Sequence, residues 1–99
     1  MSIQQTEALA AAIHELGYDS VDAFALEKAK EALRIEMGIY QQEVTEFENK
    51  YEMNFQAFLE KFDSITKFGL FEKEDDEMEW RVCLKAIELV ESKLKTLED

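Results

Sequence analysis

Ninety-nine residues hold one modest core and leave no room for a two-domain enzyme with a cleft between its halves. A hydrophobic fraction of 46% is too apolar for a disordered tail, yet 23 acids against 11 bases give a net charge of −12. Such a balance excludes a phosphate-tracking surface, so direct nucleic-acid binding is not expected and the natural partner is basic.

No proline and only three glycines argue against a β-sandwich or barrel, and the expected fold class is all-α. Ser2 with Gln5 has capping-box spacing, and Leu9, Ala12, Ile13 and Leu16 follow at helical intervals until Gly17, which predicts a short helix over about 3–16. Asp19 and Ser20 offer the next caps, and a long helix over about 20–51 carries Leu26, Ala29, Leu33, Met37, Tyr40, Val44, Phe47 and Tyr51 at spacings of three and four, a heptad seam. Met53, Asn54 and Phe58 have the spacing of a hydrophobic staple around a cap, opening a short helix over about 54–65 with Phe55, Phe58, Leu59, Phe62 and Ile65. The segment around Gly69 reads as a connector. A last helix over about 75–97 repeats the heptad step with Trp80, Cys83, Ile87, Val90, Leu94 and Leu97.

Two seams predict a helical bundle or hairpin of about four helices, with the long second helix packed antiparallel along the last and the phenylalanine-rich helix at the turn end. A helix of about 30 residues spans ~45 Å, whereas a compact chain of this size has a radius of gyration near 13 Å. Part of the long seam is therefore expected to meet a second copy in a coiled-coil-like homodimer, through Leu26, Leu33, Met37, Tyr40, Val44 and Phe47.

Residue types that carry chemistry are sparse. His14 is the one histidine and lacks a second at i+4; Cys83 sits on an apolar seam and excludes an internal disulfide; no phosphate loop, nucleophile elbow or dinucleotide fingerprint occurs. No enzyme, cofactor or metal site is expected. The absence of a signal peptide or long apolar run points to the cytoplasm and away from a membrane. Residues 72–79 hold six acids and one lysine, a charge of −5, while residues 80–99 are balanced. Carboxylates at a helix start stabilise its dipole by ~0.3–1 kcal/mol each, and the spacing is wrong for a calcium loop. The concentration of charge favours a docking patch for a basic partner, with Glu72, Glu74, Asp75, Asp76, Glu77 and Glu79 as its carboxylates and Trp80 as an aromatic anchor.

The stretch from Glu15-Leu16-Gly17-Tyr18-Asp19-Ser20 through Lys28-Ala29-Lys30-Glu31-Ala32-Leu33 resembles the two-helix part of ribbon-helix-helix antitoxins. Phe47-Glu48-Asn49-Lys50-Tyr51-Glu52-Met53-Asn54-Phe55 and Glu74-Asp75-Asp76-Glu77-Met78-Glu79-Trp80 are similar to a pattern in small acidic helical antitoxin-like proteins of prokaryotes. Residues 1–6 contain no Lys or Arg, so the DNA-reading role of the ribbon-helix-helix family is not expected to carry over. The resemblance implies a dimeric, non-enzymatic antitoxin that neutralises a basic toxin, such as an RNase, by covering its cationic surface. The alternatives are a structural or scaffolding helical homo-oligomer and, third, a DNA mimic.

Overall fold

The computed structural model describes residues 1–98, and these contain helix and connecting turns without a strand. Local sequence sets most of the boundaries. Ser2 and Gln5 complete a capping box, with Gln5 N donating to Ser2 Oγ at 3.1 Å and Ser2 N to Gln5 Oε1 at 2.8 Å, and α1 runs Ile3–Glu15. Gly17, at φ +97°, turns the chain where a side chain would strain it. Ser20 accepts from Ala23 N at 3.0 Å to open α2, Val21–Tyr51. Gly38 leaves that helix unbroken, as a solitary glycine costs only about 1 kcal/mol.

The end of α2 rests on Glu52, a non-glycine residue at φ 57°, whose N–H and that of Met53 both return to the Glu48 carbonyl. Asn54 then caps α3, Phe55–Lys61, by accepting from Ala57 N at 2.8 Å. A 3-10 turn at Phe62–Ser64 follows, so the segment read as one helix over about 54–65 tightens at its C-terminal end. The last helix, α4, spans Leu70–Glu98 and starts five residues before the sequence reading placed it. The acidic run therefore lies wholly inside α4, where the sequence reading placed only residues 75–79.

The helices α2 and α4 form one antiparallel hairpin. Arg34 Nη2 meets Glu98 Oε1 at 3.0 Å near one end, Cys83 Sγ donates to Glu43 Oε2 at 2.7 Å in the middle, and Lys50 Nζ meets Asp76 Oδ2 at 2.6 Å near the other. The molecule measures 64 × 25 × 17 Å with a radius of gyration of 20.7 Å, well above the ~13 Å of a compact chain this size. It is a hairpin with short helices appended, the second of the two expected arrangements, and the bundle of about four helices is corrected. Too few residues lie outside α2 and α4 to flank both along their length.

At the turn end, α3 and the connector close over the hairpin and build the main core. Trp80 and Phe58 are wholly buried and Tyr51 nearly so, with Val44, Phe47, Phe55, Phe62 and Phe68 packed against them. Trp80 stacks on Phe47 at 5.5 Å between ring centroids and lies 5.2 Å from both Phe55 and Phe58. Along the rest of the hairpin, Val90 and Leu94 are the buried positions of α4. The first helix joins through the Gly17 turn, where Tyr18 meets Phe24 edge-on at 5.1 Å, and buries Ile13. Among the described residues no helix is long and apolar enough to cross a membrane.

Candidate functional site

Helical phase distributes the acidic run over the whole circumference of α4, and its members have different fates. Asp76 lies four residues before Trp80 and faces α2, where its Oδ2 accepts from Tyr51 Oη at 2.5 Å and from Lys50 Nζ at 2.6 Å. Glu72 also pairs with Lys50, at 2.5 Å, and Glu77 pairs with Arg81 one turn on, at 2.7 Å. Burial and the Asp76 carboxylate together hold the Tyr51 phenol well above its ordinary pKa, while Asp76 and Glu72 raise that of Lys50. These three acids are committed within the chain. Glu74, Asp75 and Glu79 are exposed and make no ion pair among the described residues.

Trp80, read from sequence as an aromatic anchor for a partner, is fully buried at the centre of the core, and its Nε1–H makes no hydrogen bond. It is unavailable to any partner of the folded protein, and that expectation is corrected. The heptad seam of α2 is likewise occupied from within. Val44 and Phe47 pack on the aromatic core, Leu33, Met37 and Tyr40 are half-buried, and Leu26 alone of the six stays largely open, at 41%. Within one chain this seam lies against α4. His14 lies on the exposed surface of α1, and no group of three or more His, Cys, Asp or Glu among the described residues is placed to hold a metal.

Sequence reading missed a groove and a lysine. The groove, about 680 Å³, runs between α2 and α4 beside the aromatic core. Tyr40, Phe47, Met78, Val82 and Cys83 supply its apolar lining; Glu43, Glu46 and Glu79 supply carboxylates, with Lys50 at one end. Met78 and Val82 are 67% and 64% exposed, so the apolar lining is open to a partner. Cys83 hydrogen-bonds Glu43 here, and burial first, then that carboxylate, pushes its thiol up to about 12. A thiol held protonated in this way is a poor nucleophile.

The lysine is Lys73, buried inside the acidic run. Its Nζ donates to the carbonyls of Phe62 at 2.7 Å and Ile65 at 2.9 Å and lies over the Phe62 ring at 4.5 Å, which ties the connector to α4. The signal was present in the seam: Lys73 precedes Trp80 by seven residues, so extending the heptad backwards puts it on the buried face. The groove had no comparable signal, because it depends on the register between two helices.

Charge follows the same division as packing. Residues 41–83, the turn end, hold twelve acids and five bases, a net charge of −7, whereas the arm, residues 21–40 and 84–98, holds seven acids and six bases. Comparison with protein-family models, with curated proteins and with solved structures finds no match for this chain.

Proposed function

We propose that the protein is a non-enzymatic binding protein of antitoxin-like character, which neutralises a basic partner by holding one of its cationic segments at the turn end of the hairpin. The observation that carries this reading is the groove itself. Carboxylates of Glu43, Glu46 and Glu79 border an open apolar lining that includes Met78 and Val82. An amphipathic segment with Lys or Arg on its flanks matches that surface in both charge and hydrophobicity. Glu74 and Asp75 extend the negative field along α4 and supply the long-range attraction. Glu72, Asp76 and Glu77 take a different part from the one the sequence suggested, since they anchor Lys50 and Arg81 and so shape the surface from within. The resemblance to antitoxins makes a toxin of RNase type the partner to look for first, in a cytoplasmic setting.

The test starts with capture of a small basic protein from the host at low salt and its release at high salt. Its association rate is then measured against the wild type and against Asp75→Lys/Glu79→Lys. Under this reading the double variant associates about ten-fold more slowly and with a flatter salt dependence. An unchanged rate and salt slope would remove the acidic surface from the mechanism.

A further inference from the structure

The arm of the hairpin leaves a second surface uncovered. Ile35 and Ile39 are 61% and 58% exposed on α2, and Leu89 is 53% exposed on α4. The antiparallel register given by Arg34–Glu98 and Glu43–Cys83 puts Ile39 level with Leu89. Both stripes lie on one side of the hairpin. Ile35 and Ile39 lead in steps of four to Glu43 at the groove, and Leu89 follows Val82 of the same groove by seven residues. Beyond them, Leu33 and Leu97 line a shallower groove of about 370 Å³ with Lys93.

We infer that this arm face pairs two copies of the chain. Three observations select a second copy as the occupant. The chain exposes 7354 Å², against about 5,800 Å² for a compact monomer of its mass, and the excess of about 1,500 Å² is ample for the ~800 Å² per partner that a stable interface covers. The arm is nearly charge-balanced, so it is the part of a −12 chain at which two copies approach without strong like-charge repulsion. The face is also self-complementary. With the turn ends pointing in opposite directions, a two-fold axis through the arm face lays Ile39 and Leu89 against the same residues of the other copy, apolar to apolar. A head-to-tail overlap of the arms points the two acidic turn ends in opposite directions. The pairing does not depend on the reading of the groove as a partner site.

Sedimentation equilibrium of the full chain, from micromolar to sub-millimolar concentration, tests this directly. The wild type is expected to reach twice the chain mass of 11.6 kDa. Ile39→Glu and Leu89→Glu are each expected to raise the dissociation constant at least ten-fold with far-UV helicity unchanged, and Asp75→Lys to leave it unaltered. If either glutamate variant loses helicity, Ile39→Gln and Leu89→Gln carry the same expectation. A wild type that keeps the mass of one chain throughout, or a dimer that neither arm substitution weakens, overturns the inference.

Discussion

At the turn end of the hairpin, α3 and the connector lie over α2 and α4, and Trp80, Phe58 and Tyr51 become 5% exposed or less. In the arm the same two helices bury Val90 and Leu94 between them but leave Ile35, Ile39 and Leu89 more than half exposed. The difference is geometric. Two helices alone can each bury one narrow stripe, whereas a third element covers the flanks and lets large aromatic side chains be enclosed from several sides. The charge is arranged in the opposite sense, with the −7 gathered at the well-packed end and the loosely packed arm nearly neutral. A rigid end able to carry repulsion without losing shape and a neutral end able to approach another apolar surface are thus built from one pair of helices.

Substitutions separate the two ends. Trp80→Ala is expected to cost about 3–5 kcal/mol in urea denaturation, the range for removing a fully buried large aromatic, and in dilute protein Leu89→Ala should stay within about 0.5 kcal/mol. Similar losses at both positions would break the distinction. Lys73→Ala leaves the Phe62 and Ile65 carbonyls without their charged donor and should cost about 2 kcal/mol by the same measurement, with the connector the first segment to become protease-sensitive.

The pH response of the hairpin sharpens the comparison further. Cys83 titrates near 9.0 when unperturbed and only at about 12 in the folded protein, so the unfolded chain loses its thiol proton first as pH rises. The associated stability is fully present below pH 9.0 and is lost between 9.0 and about 12; Tyr51, whose phenol is also raised, adds to the loss above pH 10.0. Denaturation midpoints measured across that window should fall with pH in the wild type and fall less steeply in Cys83→Ala. The smallest effect is expected at Glu52, where Glu52→Gly relieves the left-handed backbone at φ 57° and should raise stability by about 0.5 kcal/mol. A loss there would show that the Glu52 side chain contributes more than its backbone costs.

The all-helical class, the Ser2, Ser20 and Asn54 caps and the enclosure of Tyr51 and Phe58 were legible because each depends on short-range patterns, namely cap spacing and heptad phase. Trp80 was misread because it was grouped with the acidic run as one docking patch, although its own heptad position puts it on the apolar seam. Once Leu70 opens α4, the same residues alternate between core-facing positions, Lys73, Asp76 and Trp80, and outward ones, Glu74, Asp75 and Glu79. The α2 seam was legible as an apolar face and lies against α4 within the chain, a contact the pattern does not specify, since it identifies a face that must be covered and does not say by what. The groove depended on how α2 and α4 are staggered, a property of two distant segments together, and the outward isoleucines at 35 and 39 gained meaning only when Leu89 was placed beside them.

Hydrogen exchange followed by mass spectrometry, on dilute and concentrated protein, tests the division between the two ends most directly. The account predicts that peptides around Tyr51, Phe58 and Trp80 are strongly protected at both concentrations. Peptides around Ile39 and Leu89 should exchange quickly in dilute protein and slow at least ten-fold as concentration rises. Equal protection along the whole hairpin, independent of concentration, would contradict it.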